Sequence, residues 1–307
     1  MATVVQSTGS WYEVMHGSER LQCRIRGKLR LKGVRSTNPV VVGDQVRCEK
    51  DDQGSYVIVG IEQRRNYIIR RASNLSKESH IIASNIDQAL LVVTLFSPET
   101  ATEFIDRFLV TCEAYKVPVT ILLAKIDLAR TQPQAVEEFH SIYESAGYRI
   151  VEVSATEGEG VQEVREMLRG KTTLLSGNSG VGKSTLVAAV EPGLDIRTGE
   201  ISQSHNKGKH TTTFSHVYPL EFGGRLIDTP GIRGFGLIDI KPEELYHYFP
   251  EIMKVSPECK FYNCTHTHEP HCAVRQAVEE CRISQSRYAS YLSMLDDKEE
   301  GKYREKF

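Results

Sequence analysis

The chain has 307 residues, 40% of them hydrophobic and 25% charged, with a net charge of −2. That length has room for two or three domains, and that composition belongs to a packed globular protein rather than a disordered, collagenous or cysteine-stapled one. The longest apolar run, Ala89 to Phe96, is too short to span a bilayer, and no leader or anchor precedes it, so a cytoplasmic protein with no membrane attachment is expected.

Residues 1 to 71 hold 13 Lys plus Arg against 7 Asp plus Glu, whereas the rest of the chain holds 25 against 33. The basic excess therefore belongs to an N-terminal segment. Residues 1–68 read as a run of short strands, STGSWYEVMHG, ERLQCRIRGKLRL, PVVVGDQVRCEKD and GSYVIVGIEQ, punctuated by glycine turns. Five or so strands in that length predict a small β-barrel of the oligonucleotide-binding (OB) type, and an SH3-like barrel gives much the same pattern. Within it Arg24, Arg26, Lys28, Arg30 and Lys32 occupy every second position, with Ile25, Leu29 and Leu31 among the residues between them. On a strand this makes one face a row of cations, suited to a nucleic-acid backbone; a solvated strand face is the bland alternative.

From Asn85 the texture becomes alternating strand and helix, in the order strand IDQALLVVTLF, helix TEFIDRFLVTCEAYK, strand VPVTILLAKID and helix PQAVEEFHSIYESAG. The strands YRIVEVSAT and TTLLSGNSG follow. This predicts a doubly wound parallel sheet over residues 69–237, with ligands at the carboxyl ends of its strands. Gly177, Asn178, Ser179, Gly180, Val181, Gly182, Lys183 and Ser184 have the spacing of a phosphate-binding loop, followed by Thr185 at a helix start. In such a loop successive backbone N–H groups surround phosphate, the lysine reaches the outer phosphates and the serine hydroxyl ligates Mg²⁺.

Two other strand ends carry guanine-selecting chemistry: Ala124, Lys125, Ile126 and Asp127 after one, Ser154, Ala155 and Thr156 after another. A carboxylate at Asp127 accepts from both N1–H and the exocyclic amine of guanine, an edge that adenine lacks. Lys125 would lay its stem along the base, and Ser154 and Ala155 would close the pocket. Downstream, Asp228 to Gly231 (DTPG) would hold Mg²⁺ through water and address the γ-phosphate. The first switch is expected in KGKHTTTFSHVY, with Thr213, or next Thr212, as the Mg²⁺ ligand and His210 either polarising water or lying exposed. Ile232 stands where Ras-like enzymes place a water-orienting glutamine, so intrinsic hydrolysis should be slow. The base loops precede the phosphate loop, so the motif order is that of a cyclically permuted GTPase.

Residues 238–307 read as helices around Cys259, Cys264, His266 and Cys272. Three thiols and an imidazole within 14 residues predict one structural, tetrahedral Zn²⁺. The remaining cysteines, 23, 48, 112 and 281, are scattered along the sequence.

The permuted loops, the basic barrel and the zinc spacing, with GKHTTT and DTPGIRGFGL, together resemble the ribosome small subunit-dependent GTPases of bacteria, the RsgA family. The resemblance implies a GTPase that binds GTP and GDP with Mg²⁺, is stimulated by the small ribosomal subunit, contacts its rRNA and acts late in that subunit's maturation. A monomer is expected. A nucleotide-switched ribosome-binding module with little turnover of its own is the competing reading. Ala124 departs from the family's usual asparagine, which implies weaker guanine binding with Asp127 still specifying the base. The second switch runs within a few residues into the zinc module, which suggests that hydrolysis could move that module relative to the barrel.

Overall fold

The computed structural model describes residues 1–8, 11–17, 19–25, 39–71, 79–194, 216–228 and 240–299. Strands β1 (Ala2–Ser7), β2 (Tyr12–His16), β3 (Glu19–Ile25), β4 (Gln45–Lys50) and β5 (Tyr56–Ile61) close in the order β1-β2-β3-β5-β4-β1. β3 and β5 run parallel and the other pairs antiparallel. That order is the OB barrel and decides between the two barrel types left open by the sequence. Ala2, Val4, Tyr12, Val14, Cys23, Val46 and Ile58 fill the interior. Two expectations are corrected here. The first strand is Ala2–Ser7, ahead of the run that begins at Ser7, and Pro39–Val42 is not a strand, although Val42 bridges to Ala83 and Val40 packs into the barrel interior.

A hairpin that the sequence did not reveal, β6 (Tyr67–Arg71) with β7 (Ser79–Ser84), lies against the barrel's flank. The join admits no side chain: a Cβ on Gly43 would lie 2.1 Å from the Ser84 carbonyl oxygen, and Gly43 has φ +89°. Asp44, fully buried beside it, accepts from the Val41 N–H, the Ser84 hydroxyl and both Nε and Nη2 of Arg64.

The next strands are β8 (Gln88–Val93), β9 (Val119–Ala124), β10 (Arg149–Val153), β11 (Thr172–Ser176), β12 (His216–Pro219) and β13 (Arg225–Asp228). Helices α1 (Thr102–Ala114), α2 (Ile126–Ala129), α3 (Pro133–Ser145), α4 (Val161–Leu168) and α5 (Lys183–Val190) connect them. Sheet order is β10-β9-β8-β11-β13-β12, parallel except for the antiparallel β12. β8 is buried on both faces, so it reads as an unbroken apolar run. Ala89, Leu91 and Val93 pack on the side of α1 and α3, while Leu90 and Val92 pack on the side of α4 and α5. α4 was not anticipated; it supplies the crossover from β10 back to the centre of the sheet.

β12 also pairs antiparallel with β1, with Gln6 opposite His216, so barrel and parallel strands form one 11-stranded sheet. Val5 and Val42 of the barrel share a hydrophobic cluster with Ile68, Ile86, Leu91 and Val217. Among the described residues, no helix is long and apolar enough to cross a membrane.

The C-terminal part comprises a 3-10 helix (Pro242–Tyr248), α6 (Pro250–Val255), a 3-10 turn (Ser256–Glu258), α7 (Ala273–Glu279) and α8 (Gln285–Glu299). The helical run PEELYHYFPEIMKV is broken at Phe249, extended at φ −113° and ψ 95° because Pro250 follows it. This part packs on α1 around a fully buried arginine. Arg287 donates to Asp106 of α1 at 2.6 Å and to Glu251 of α6 at 2.8 and 3.2 Å, with the Phe249 ring 4.8 Å away. Burial alone would lower the guanidinium pKa, but the two carboxylates outweigh it and hold the pKa well above its ordinary value.

Replacing Arg287 by methionine strands two buried carboxylates and should cost about 3–5 kcal/mol in urea unfolding. By contrast, Arg149→Ala, which breaks the exposed pair with Glu163, should cost no more than about 1 kcal/mol.

Candidate nucleotide site and metal centre

The strand register decides which loops meet. Ala124 is opposite Val153, Ser176 opposite Leu91 and Leu175 opposite Asp228, so β8, β9, β10, β11 and β13 all end at one edge. Strand order reverses direction between β8 and β11, which opens a crevice at their carboxyl ends. The loop 177–182 fills the mouth of that crevice.

This loop is shaped by glycines in backbone states that other residues avoid. Gly177, Gly180 and Gly182 have φ of +148°, +84° and +98°. A Cβ on Gly177 would meet the Val92 carbonyl oxygen at 2.4 Å, so the loop leaves β11 in contact with the backbone of β8. Val181 is fully buried and anchors the loop in the core below. Gly182 then caps α5, whose first residues are Lys183, Ser184 and Thr185. The Lys183 ammonium lies over the loop, donating to the carbonyls of Gly177 at 2.6 Å and Asn178 at 2.7 Å. Ser179, Gly180, Ser184 and Thr185 are exposed, and Asn178 is half-buried. A glycine-rich turn with a lysine above it and a helix N-terminus below it is built for a polyphosphate.

Ala124 is buried at the end of β9, and Lys125 takes a left-handed conformation with φ 56°. Ile126 is fully buried, which holds the short helix α2 and the half-buried Asp127 on it. The Lys125 ammonium donates to the Gly180 carbonyl at 2.8 Å and to that of Ser97. The lysine thus ties the base loop to the phosphate loop. Ser154 is fully buried; its hydroxyl pairs with Thr156 at 3.2 Å and accepts from the Glu157 N–H at 3.3 Å, and Ala155 packs on the core. Arg130 bridges the two base loops by pairing with Glu159 at 2.9 Å, a contact invisible in the sequence because it spans 29 residues. Asp228 closes β13 at the same edge. His210, Thr212, Thr213, Gly231 and Ile232 lie outside the described residues, as do Arg26, Lys28, Arg30 and Lys32.

Cys259, Cys264, His266 and Cys272 converge, their ligand atoms all within 4.8 Å of one another. Sγ of Cys259 and of Cys272 are 3.9 Å apart, and each is 3.6 Å from His266 Nδ1. Tetrahedral zinc would set those edges at about 3.8 Å for sulfur to sulfur and about 3.6 Å for sulfur to nitrogen, so the donor set fits the ion. Burial pushes the Cys264 thiol up to about 12 and the His266 imidazole down. A dication supplies the charge that converts such thiols to thiolates.

Glu269, which the sequence reading passed over, holds this loop. Its Oε1 accepts from the N–H and hydroxyl of Thr265, both at 2.6 Å, and its Oε2 from the Thr267 N–H at 3.1 Å. Burial would raise its pKa, but these donors outweigh burial and bring it to about 2. Tyr288 and Tyr291 of α8 donate to the His266 and Thr265 carbonyls at 2.7 Å. His268, His271 and Cys281, which offer donors of the same kind nearby in the sequence, stay outside the cluster. Cys23 and Cys48, far apart in sequence, sit with sulfurs 3.7 Å apart in the barrel, and burial pushes Cys23 up to about 12.

A family model described as RsgA GTPase matches residues 61–238, and one described as RsgA N-terminal domain matches residues 2–58. A small ribosomal subunit biogenesis GTPase RsgA of Bacteroides fragilis (strain YCH46) is 57% identical over 303 residues, covering 98% of each chain. One of Porphyromonas gingivalis (strain ATCC BAA-308 / W83) is 51% identical over 313 residues, covering 99% of each. Among solved structures, YjeQ from Thermotoga maritima superposes with TM-score 0.77 at 37% identity, covering 96% of this chain and 97% of that one. YloQ, described as a circularly permuted GTPase, gives 0.74 at 29% identity, covering 99% and 96%.

Glu269→Gln keeps the shape of the clamp and removes its charge. Transfer of zinc to a colorimetric chelator should become about 10- to 100-fold more favourable than in the unaltered protein. The ionised clamp's contribution to loop stability is complete above the unfolded carboxylate range near pH 4 and is lost as pH falls toward about 2.

Proposed function

The chain belongs to the RsgA GTPase family, and on that footing we propose that it hydrolyses GTP on the small ribosomal subunit, late in that subunit's maturation, in the cytoplasm. The observation that carries this reading is the shared edge at which the 124–127, 154–156 and 177–184 loops and Asp228 all emerge. Order along the chain is permuted, but order in space is that of a P-loop GTPase.

The residues divide the work as follows. Asp127 accepts from the two guanine N–H groups, Lys125 supports the base while tying its loop to Gly180, and Ser154 and Ala155 close the pocket. Backbone N–H groups of 177–185 surround the phosphates, with the Lys183 ammonium moving from loop carbonyls to phosphate oxygens. Ser184 and Thr213, or Thr212, would hold Mg²⁺, with Asp228 acting through a water. When bound, that ion neutralises charge developing on the β- and γ-phosphates. Gly231 would donate its N–H to the γ-phosphate, and His210 is the candidate to polarise the attacking water. Cys259, Cys264, His266 and Cys272 would hold one structural zinc. We assign residues 1–68 to RNA binding, 69–237 to the nucleotide and 238–307 to the zinc module, in a chain that works as a monomer.

Stimulation by the subunit has a physical route. Strand β12 carries the chain out of the first-switch segment, and its other edge pairs with β1 of the barrel. Docking the barrel on rRNA therefore acts on a strand one step from the switch. Ile232 favours a second reading, a nucleotide-controlled binding module with little turnover.

Single-turnover GTP hydrolysis separates the two. Purified small subunits should accelerate it by at least about 100-fold, a barrier change near 2.7 kcal/mol, and unchanged hydrolysis would leave only the binding module. Ala124→Asn should tighten GDP binding about 2- to 10-fold, the worth of one hydrogen bond, read by titration calorimetry.

A further inference from the structure

The barrel's outer surface carries a feature that the nucleotide chemistry does not use. Trp11, the chain's only tryptophan, is 41% exposed, and the Arg24 guanidinium carbon sits 3.9 Å from its ring centroid. A second pair, Lys50 over Tyr56 at 5.2 Å, lies at the same end of the barrel. The two pairs lie on different faces: Tyr56 is opposite Cys23 and packs against the barrel interior with it, whereas Trp11 and Arg24, next along their strands to Tyr12 and Cys23, turn outward. The outward pair is therefore Trp11 with Arg24.

That end also carries the β1–β2 and β4–β5 turns. The first is closed by the Thr8 N–H on the Trp11 carbonyl at 2.9 Å. The second is closed by Asp51, whose carboxylate accepts from the Gln53 and Ser55 N–H groups at 3.0 and 2.8 Å and so is engaged within the turn. These bonds tie the Trp11 backbone to the end of β1 and close the β4–β5 turn next to Tyr56.

We propose that Trp11, backed by Arg24, is a stacking platform for an unpaired base of single-stranded RNA. This deepens the reading of the barrel as the RNA-binding part and rests on it. A protein partner would ask for a contiguous apolar patch. Trp11 is instead isolated: the other exposed large hydrophobic residue of the described barrel, Met1, lies at the far end of the β1–β2 pair, beyond Thr3 opposite Met15. A lone ring against a guanidinium matches a nucleobase and its phosphate, since every base offers a π-face and the guanidinium can hold a phosphate while its plane rests on the indole. A duplex, with its bases already stacked, offers the ring nothing.

The sole tryptophan makes the contact directly observable. A single-stranded RNA decamer added to the full-length protein should quench its tryptophan emission, whereas a blunt RNA duplex of the same length should leave emission unchanged. Trp11→Ala should weaken the single-strand affinity, read by anisotropy of labelled RNA, about 5- to 150-fold. Trp11→Phe should retain most of that affinity, and GTP turnover without subunits should match in all three proteins. Binding of the decamer with unchanged emission and no loss in Trp11→Ala would overturn the platform while leaving the barrel an RNA-binding surface. If neither RNA binds and subunit binding is lost only in Trp11→Ala, the ring meets a ribosomal protein and the proposal fails. If neither RNA binds and the variant still binds subunits normally, both the platform and the RNA reading of the barrel fall.

Discussion

The pairing of β1 with β12, Gln6 opposite His216, is the constraint on which the rest of the molecule depends. An edge strand left open is a liability, and both the barrel and the parallel sheet would otherwise have one here. Joining the two edges makes a single 11-stranded sheet, and the apolar residues beneath the join, Val5, Val42 and Val217, belong to one core. The barrel is therefore not a tethered module. A load applied to its outer surface reaches β12 through hydrogen bonds and packed side chains rather than through a linker.

The opposite flank is held differently. Arg287 joins α8 to α1 and α6, with Arg287 and Asp106 fully buried and Glu251 nearly so. Separating those elements would leave charges buried and unpaired at a cost of about 3–5 kcal/mol. Displacement of the whole zinc module by the second switch, suggested by their closeness along the chain, therefore faces a steep penalty. Small shifts of β12 and the loops at the carboxyl edge disturb no such cluster, and they are the cheaper route between ribosome contact and nucleotide state.

Legibility in the sequence followed the range of the interactions. The phosphate loop, the buried β8 run and the zinc ligands are local patterns, in which a few neighbouring residues carry the geometry. The β1 strand lies ahead of the first run that the sequence marks as a strand, which begins at Ser7. α4 was passed over between β10 and β11, and the pairing of β6 with β7 because no two-residue turn signal separates them in the sequence. Arg287, Arg64 and the neighbouring Cys23 and Cys48 depend on residues 20 to 181 positions away, and no window along a chain contains such a partner. Lys125 falls between these extremes. Its place in the base loop was legible, but its grip on Gly180 needed the permuted loops to be folded together.

The most direct test of the coupling through the sheet is backbone amide hydrogen exchange in strands β1 and β12, measured in the GTP-analogue state with and without the small subunit. The account predicts that subunit binding slows exchange in both strands together, because they share one ladder and one core. Protection confined to β1 with β12 unchanged would contradict it.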